Sequence, residues 1–360
     1  MNAVQKLHQL GQSIWLDNIT RDLLTSGVLK QYIDYSSVTG LTSNPTIFNH
    51  AIKNTSAYDL SIRRQSKRGQ SRESLFFDLA LDDITEAADL FRPVWERTSG
   101  ADGWVSIEVS PLLAYDTAGT LAAAKELHAR ANRPNVLIKI PGTQEGLQAI
   151  EQAIFAGVPI NVTLLFSTDH YQAAAQAYLL GIERRIDAGL NPNICSVASV
   201  FVSRWDNAVH TKVPDGLENR LGIAIAMQTY NSYQRFIASL RCQRIYNAGA
   251  RPQRLLWAST GTKDPHASDT LYVESLAAPL TINTMPEPTL KAFADHGKIA
   301  EALHSNQDFQ RTLDEFPELG IDIDALAAEL QVEGAESFAK SWDELMDVID
   351  SKSVAVAKAG

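Results

Sequence analysis

One lysine in this chain is placed where its amine could act as a nucleophile. Lys139 lies in the run Val136–Ile140, which reads Val-Leu-Ile-Lys-Ile. A run of this composition predicts a strand buried on both faces, as parallel strands are. Burial disfavours the charged form of an ammonium group, and a neutral lysine amine attacks carbonyl carbons to form a Schiff base. The alternative is a lysine on an edge strand, whose ammonium group reaches water along its aliphatic stem.

Two carboxylates stand near the ends of other apolar runs. Asp17 closes the first run, and Glu108 lies near the end of the third, on the same face as Ser106. Cleavage of a carbon–carbon bond next to an iminium needs a base for a hydroxyl proton, and Asp17 suits that step. Glu108 is the candidate for a second acid/base, which would act through a water in the dehydration and hydrolysis of the imine. Both carboxylates also favour a charged lysine, and the sequence leaves open whether they or desolvation prevail.

Amide and hydroxyl side chains occupy corresponding places in neighbouring runs. They are Thr42 and Asn44 in the second run, Asn161 and Thr163 in the fifth, and Ser199 in the sixth. Asn44 and Asn161 could hydrogen-bond the hydroxyls of a three-carbon fragment held on the lysine. Each of these residues alone could equally be a satisfied polar group of the core. Six consecutive runs that end in this way indicate one shared pocket.

Two basic residues follow the later runs and could bind an anion. Arg204 comes just after the sixth run, and Lys263 comes after the seventh. Loops after late strands of a parallel barrel commonly hold phosphate, and an arginine offers a bidentate fork for it. Each residue could instead form a surface salt bridge.

Eight apolar runs supply the elements that would position these side chains. The predicted strands are Ile14–Asp17, Val38–Asn44, Trp104–Val109, Val136–Ile140, Ile160–Leu165, Ser196–Phe201, Leu255–Thr260 and Leu280–Thr284. Segments with helical periodicity separate them, and eightfold strand–helix alternation predicts an α/β fold of the parallel (β/α)8 TIM barrel type. A doubly wound sheet is the rival, but it usually has fewer strands and carries a phosphate loop after its first strand.

Two segments extend this basic unit. Residues 206–252 are long enough for more than one helix between the sixth and seventh strands. Beyond Met285, a tail ends in an amphipathic helix that should pack back onto the barrel through one apolar face, formed by Phe338, Trp342, Leu345 and Ile349. No break in composition marks a linker, so residues 1–360 are predicted to form a single domain.

The composition argues against several other classes of protein. With 360 residues, 45% of them hydrophobic, the chain can bury a large core. A net charge of −10 argues against general nucleic-acid binding, so any anionic substrate must be held by local basic groups. The run of basic residues from Arg63 to Arg72 therefore predicts a solvated helix end and loop. Two cysteines form no disulfide framework and indicate a reducing cytoplasm.

Targeting, metal and nucleotide motifs are missing from the sequence. The segment from Met1 to Leu10 predicts a short amphipathic helix rather than a signal peptide, and no apolar stretch is long enough for a membrane span. The eight histidines are scattered, with no His-Glu-x-x-His and no Cys-x-x-Cys pair. No Gly-x-Gly-x-x-Gly or Walker loop follows a strand. The sequence therefore predicts no metal and no cofactor.

The strand-end motifs resemble those of the transaldolase family, in order and in spacing. They read Trp-Leu-Asp17, Leu-Thr-Ser-Asn44-Pro-Thr-Ile-Phe, Ile-Glu108-Val-Ser-Pro, Leu-Ile-Lys139-Ile-Pro-Gly-Thr-Gln-Glu-Gly and Ile-Asn161-Val-Thr163-Leu-Leu-Phe-Ser. The resemblance runs from about Trp15 to about Met285, and the final helix is similar to the family's C-terminal helix. The motifs around Lys139 and Asn161 are highly specific when they occur together.

The resemblance implies a metal-free, Schiff-base enzyme of the pentose phosphate pathway. Such an enzyme transfers a dihydroxyacetone unit from sedoheptulose 7-phosphate to glyceraldehyde 3-phosphate, giving fructose 6-phosphate and erythrose 4-phosphate. Carried over by motif, Lys139 is the nucleophile, Asp17 the aldol-step acid/base and Glu108 the water-assisted acid/base. The fragment would be positioned by Asn44, Asn161, Thr163 and Ser199, with Thr42 beside them, and Arg204 would hold phosphate. The implied partners are sugar phosphates alone, without nucleic acid or membrane, and a homodimer stays open.

Two departures from the family pattern concern the anion site. Many members read Ser-Pro-Phe-Val-Gly-Arg at the sixth strand, where this chain reads Ser-Val-Phe-Val-Ser-Arg204. After the seventh strand, those members place a second arginine in an Ala-Ser-Phe-Arg context, whereas this chain reads Ala-Ser-Thr-Gly-Thr-Lys263. A lysine binds phosphate as a point charge but lacks the bidentate fork.

Two rival functions remain open at this point. A related Schiff-base aldolase would release free dihydroxyacetone, and the residues nearest the lysine barely separate it from a transferase. A sugar-phosphate-binding barrel without catalysis would keep Arg204 and Lys263 but has no need for a buried lysine between two carboxylates.

Overall fold

Eight parallel strands close into a barrel in the computed structural model, which describes residues 2–66, 69–299 and 309–358. Each strand pairs with the next in the chain, and β8 closes the barrel on β1. The strands are β1 Ser13–Asp17, β2 Val38–Thr42, β3 Trp104–Glu108, β4 Val136–Pro141, β5 Ile160–Leu165, β6 Ser196–Phe201, β7 Arg254–Ala258 and β8 Ile282–Met285. The predicted (β/α)8 TIM barrel is confirmed.

Helices connect the strands and form the outer layer. In the described parts of the chain they are α1 Ala3–Gln9, α2 Arg21–Thr25, α3 Val28–Tyr35, α4 Pro45–Asn54, α5 Asp59–Ser66, α6 Arg72–Arg97, α7 Thr117–Ala131, α8 Gln144–Ala156, α9 Thr168–Asp187, α10 Ser203–Val209, α11 Leu221–Ile237, α12 Leu240–Asn247, α13 Leu271–Ser275, α14 Glu287–His296, α15 Phe309–Glu318 and α16 Ile323–Lys358, with a 3₁₀ turn at Pro111–Leu113. The extra helices expected after the sixth strand are α10, α11 and α12. None of the helices in these parts is long and apolar enough to cross a membrane.

The register of the barrel sets the polar side chains next to one another. Glu108 on β3 pairs with Lys139 on β4, and Lys139 pairs with Asn161 on β5. Two residues further along each strand, Pro141 pairs with Thr163. Because neighbouring residues in register point to the same face of a parallel sheet, these pairs bring a carboxylate, an amine and an amide together at one end of the barrel.

Several strand boundaries differ from the predicted ones, for local reasons. The second strand ends at Thr42 rather than Asn44, because Pro45 begins α4 and the Asn44 side chain caps that helix. The seventh strand begins at Arg254 and ends before Ser259, whose φ of 55° takes the backbone out of the extended region. The eighth runs to Met285 and excludes Leu280, which is exposed and has a φ of 62°. The third ends one residue earlier than predicted, and the fourth continues to Pro141.

The long helix α16 packs across the mouth of the barrel. Phe338, Trp342, Leu345 and Ile349 are all buried, which confirms the predicted apolar face. Gln331 Nε2 fastens the helix to the barrel, donating to Gly142 O just after β4 at 3.1 Å and to Leu164 O in β5 at 2.9 Å. The C-terminal tail therefore contributes to the end of the barrel where the polar side chains gather.

Candidate active site

Lys139 is buried inside the barrel mouth and does not reach bulk water along its stem. Its side chain is 7% exposed. The Nζ donates to Ser43 O at 3.0 Å and lies 3.2 Å from Glu108 Oε2. The edge-strand alternative is therefore wrong, because β4 has a neighbour on both sides and the ammonium group has protein partners.

Glu108 is a buried carboxyl with few partners. Desolvation raises its pKa, Lys139 opposes this through its charge and a hydrogen bond, and the charge of Asp17 raises the pKa further. Apart from the ion pair with Lys139, neither carboxyl oxygen has a hydrogen-bond partner among the described residues. A carboxyl with a raised pKa and unused hydrogen-bonding capacity is suited to exchanging a proton at near-neutral pH.

Asp17 ends β1 and lines the same cavity as Lys139. Desolvation raises its pKa, while the charge of Lys139 and a hydrogen bond from Thr42 lower it. Thr42 Oγ1 donates to Asp17 Oδ1 at 2.7 Å and also lies 2.6 Å from Thr284 Oγ1. One oxygen of this carboxyl is thus fixed by Thr42, and a carboxyl with a raised pKa is suited to acid/base chemistry.

Asn161 is held on both sides of its amide. Ser199 Oγ donates to Asn161 Oδ1 at 2.7 Å, and Asn161 Nδ2 donates to Ser106 Oγ at 3.1 Å. All three residues are buried. In this conformation the amide links β3, β5 and β6, and Ser199 is the member of the group that lines the cavity.

Thr163 and Asn44 line the same cavity but differ in their burial and in their hydrogen bonds. Thr163 is completely buried, and its Oγ1 has no hydrogen-bond partner in the described structure. Asn44 is partly exposed, and its Oδ1 accepts from Ile47 N at 3.0 Å as the cap of α4. An unpaired buried hydroxyl is uncommon in proteins, so Thr163 has an unused donor and acceptor directed at the site.

The cavity at the barrel mouth has a volume of about 250 Å³. It unites most of the predicted site residues: Asp17, Thr42, Asn44, Lys139, Thr163, Ser199, Arg204 and Lys263. Glu108 and Asn161 do not line it but directly contact Lys139 and Ser199, which do. All ten predicted site residues are therefore found at one end of the barrel.

Arg204 and Lys263 differ in how strongly the protein holds them. The Arg204 guanidinium lies over two rings, 5.3 Å from the centroid of Phe201 and 5.8 Å from that of Phe338. Desolvation lowers its pKa and the charge of Glu333 opposes this, yet among the described residues it forms no ion pair within 4.0 Å. Lys263 is exposed at the rim, where a groove of about 690 Å³ adjoins the cavity. An arginine that is partly buried without an ion pair has its bidentate fork free for an anion.

Nine of the lining residues were not predicted as part of the site, and three of them bear on its chemistry or its cover: Thr284, Phe201 and Phe338. Thr284 lies in the eighth apolar run, where the strand-end pattern that found the other polar residues also applies. Phe201 ends the sixth strand beside Ser199. Phe338 was assigned to the packing face of the last helix, and its ring centroid lies 5.9 Å from Lys139 Nζ. No periodicity distinguishes a ring that covers a site from one that fills a core.

In the parts of the chain that the structure describes, no group of three or more His, Cys, Asp or Glu side chains is arranged to hold a metal ion. The polar groups of the mouth are two amines, a guanidinium, carboxyls, amides and hydroxyls. This set fits covalent chemistry on a carbonyl compound with acid/base assistance.

Comparison with known proteins agrees with this chemistry. The family model "Transaldolase/Fructose-6-phosphate aldolase" matches residues 14–349. A transaldolase of Arthrobacter sp. (strain FB24) is 42% identical, over 99% of this chain and 98% of the relative. One of Thermobifida fusca is 44% identical, over 96% and 97%, and transaldolase 2 of Nostoc punctiforme is 40% identical, over 98% and 97%. The predicted resemblance is confirmed, and the chain belongs to the transaldolase/fructose-6-phosphate aldolase family.

Proposed function

We propose that this chain is a transaldolase, which transfers a dihydroxyacetone unit between sugar phosphates through a Schiff base on Lys139. The observation that carries the proposal is a lysine amine buried beside one carboxyl and facing a second, in a cavity with an unpaired arginine. The full-length relatives named transaldolase support the same reaction class.

The proposed reaction begins with attack by the Lys139 amine on the C2 carbonyl of a ketose phosphate. The carbinolamine loses water, and Glu108 exchanges the protons of that step through a water molecule. Asp17 then takes the proton of the C4 hydroxyl, the C3–C4 bond breaks, and its electron pair passes into the iminium to give an enamine. An aldose phosphate leaves as the first product.

The second half of the reaction reverses these steps with another aldehyde. The enamine carbon attacks the carbonyl carbon of the acceptor, and Asp17 returns its proton to the new hydroxyl. Water then hydrolyses the iminium, with Glu108 again exchanging protons, and frees the Lys139 amine. Sedoheptulose 7-phosphate and glyceraldehyde 3-phosphate are the proposed substrates, and fructose 6-phosphate and erythrose 4-phosphate the products.

The remaining side chains are proposed to bind and orient the sugar phosphates. Thr163 and Ser199 line the cavity from β5 and β6, and Thr42 and Asn44 line it from the end of β2 and the cap of α4. Asn161 holds Ser199 in place and is close enough to bind a fragment hydroxyl if its own bonds rearrange. Arg204 binds the phosphate with its fork, and Lys263 adds a point charge at the rim.

Transfer rather than release of free dihydroxyacetone is favoured by the shielding of Lys139. Phe338 is 5% exposed and brings an apolar ring over the amine. A site that keeps water from the enamine and iminium lets the second aldehyde arrive first. We further propose that residues 1–360 form a single domain that acts in the cytoplasm and does not bind nucleic acid. Size-exclusion chromatography would distinguish a monomer from a homodimer.

Borohydride trapping tests the covalent step directly. Incubation with fructose 6-phosphate and borohydride, followed by peptide mass mapping, should place a reduced three-carbon adduct on Lys139. Lys352 is an internal control, because it also donates to a backbone carbonyl and a carboxylate, Thr55 O and Asp59 Oδ1, but lies outside the cavity. Absence of any lysine adduct in folded protein that binds the sugar would refute the mechanism and favour a binding barrel.

Addition of erythrose 4-phosphate then separates transferase from aldolase. A transferase should form sedoheptulose 7-phosphate and little free dihydroxyacetone. Release of dihydroxyacetone at the same rate with or without the acceptor would instead assign the aldolase activity that the family also contains.

A further inference from the structure

A hydroxyl on β8 lies in contact with the group around Asp17. Thr284 is 3% exposed, and it lines the cavity. Its Oγ1 lies 2.6 Å from Thr42 Oγ1, which in turn donates to Asp17 Oδ1 at 2.7 Å. Three side chains from β8, β2 and β1 therefore form one continuous series of hydrogen bonds that ends on the carboxyl.

The direction of these bonds follows from the number of protons. A threonine hydroxyl carries one proton and two lone pairs. When Asp17 is ionised, the hydroxyl of Thr42 donates its single proton to a hydrogen bond with Asp17 Oδ1. The hydrogen bond between the two threonine hydroxyls must therefore use the proton of Thr284. Thr284 therefore donates to Thr42, and Thr42 donates to Asp17.

This series is fixed by the barrel itself. β1 has β2 on one side and β8 on the other, with Asp17 in register with Thr42 and Trp15 in register with Thr284. Hydroxyls placed on rigid strands can hold a carboxylate at a set angle more reliably than groups on loops.

We propose that Thr284 is a positioning residue for Asp17. By donating to Thr42, Thr284 keeps the Thr42 hydroxyl directed at one carboxylate oxygen of Asp17, so that the other oxygen is left for the substrate hydroxyl. This inference rests on the proposed role of Asp17 in the aldol step. Thr284 thereby acts on the reaction through Thr42, without needing to touch the substrate.

The other charged groups that face Asp17 are Lys139 from β4 and Glu108 from β3. The charge of Lys139 lowers the pKa of Asp17, and the charges of Asp17 and Glu108 repel each other. These two charge effects remain when Thr284 is changed. The hydrogen bond from Thr42 also lowers the pKa of Asp17, and the bond that Thr284 donates to Thr42 polarises the Thr42 hydroxyl and strengthens it as a donor. Loss of the Thr284 hydroxyl should therefore raise this pKa, so that the ionised base appears only at higher pH.

The test compares Thr284→Val, Thr284→Ser, Thr42→Val and the double variant Thr42→Val/Thr284→Val. Valine keeps the shape of threonine without the hydroxyl, and serine keeps the hydroxyl. Thr284→Ala is a second hydroxyl-free variant if valine disturbs the strand. The measurements are kcat and the pH profile of kcat/KM, with fructose 6-phosphate as donor and erythrose 4-phosphate as acceptor.

We expect Thr284→Val to lower kcat by about threefold to tenfold and to move the acidic limb of kcat/KM upward by a few tenths of a pH unit, since one polarising bond is lost. Thr284→Ser should stay within about twofold of the parent protein. In the Thr42→Val background, Thr284→Val should have no further effect, because the connection to Asp17 is already broken.

Two outcomes would overturn the inference. If Thr284→Val has the same kcat and the same pH profile as the parent protein, the hydroxyl has no role. If Thr284→Val lowers kcat equally in the parent and in the Thr42→Val background, Thr284 acts on the substrate or the fold directly. Borohydride trapping of the parent protein separates these results from failure of the proposed function. A parent protein that forms no Lys139 adduct would refute the function, whereas a trapped adduct with unaltered Thr284→Val kinetics would refute only the positioning role.

Discussion

Arg204 offers the sharpest measurement of how this site recognises its substrate. Its guanidinium lies over the rings of Phe201 and Phe338 and forms no ion pair with a carboxylate among the described residues. Replacement by leucine keeps an apolar stem beside the two rings and removes the donors. If the guanidinium makes two bonds to the phosphate, each bond to a charged group contributes about 1.5–3 kcal/mol. Their loss corresponds to a decrease in kcat/KM of about 10²–10⁴-fold.

The assay should pair fructose 6-phosphate with fructose, which carries the same carbonyl and hydroxyls but no phosphate. Arg204→Leu should lower kcat/KM for the phosphorylated sugar and leave that for fructose within a few-fold. Lys263→Met is the matched comparison, because this exposed lysine should contribute about 1 kcal/mol or less, or under tenfold. An equal loss on fructose and fructose 6-phosphate would refute the reasoning and make Arg204 a structural support for α16.

Two further substitutions separate function from packing. Thr163→Val should lower kcat/KM while leaving thermal stability unchanged or raising it. The reason is that the hydroxyl is buried without a partner among the described residues, and such a group destabilises the fold by about 1–3 kcal/mol. A loss of stability in thermal unfolding would instead reveal a structural hydrogen bond. Phe338→Ala should raise the ratio of free dihydroxyacetone to transferred product, because water gains access to the Lys139 adduct. Phe338→Leu, which keeps an apolar side chain, should raise it less, and an unchanged ratio in both variants would remove Phe338 from the control of transfer.

The barrel, and the gathering of the predicted residues at its mouth, could be predicted because most of the first six strands carry two signals at once. Apolar runs such as Val136–Ile140 identify buried strands, and a polar residue near the end of a run identifies the mouth. Lys139, Asp17 and Glu108 all satisfy both criteria. The boundaries were less secure, since Asn44 had to be recognised as a helix cap rather than the end of a strand.

The details that the sequence did not reveal depend on contacts between distant segments. Phe338 belongs to a helix face that is buried along its length, and only the docking of α16 on the mouth distinguishes this ring from Trp342. Thr284 became significant only through its 2.6 Å contact with Thr42. Likewise, Asn161 reads as a substrate ligand in sequence, whereas its amide is engaged by Ser106 and Ser199 in the structure.

The position of α16 in the chain also sets an order of events during synthesis. All eight strands are translated before this helix, and the barrel closes through the pairing of β1 with β8. Roughly fifty residues separate the end of β8 from Phe338, which at about 5–20 residues per second is an interval of several seconds. During that time a closed barrel could carry Lys139 without its aromatic cover, open to any carbonyl compound in the cell. Protection of the nucleophile would then come after folding of the barrel, as a separate step in the maturation of the enzyme.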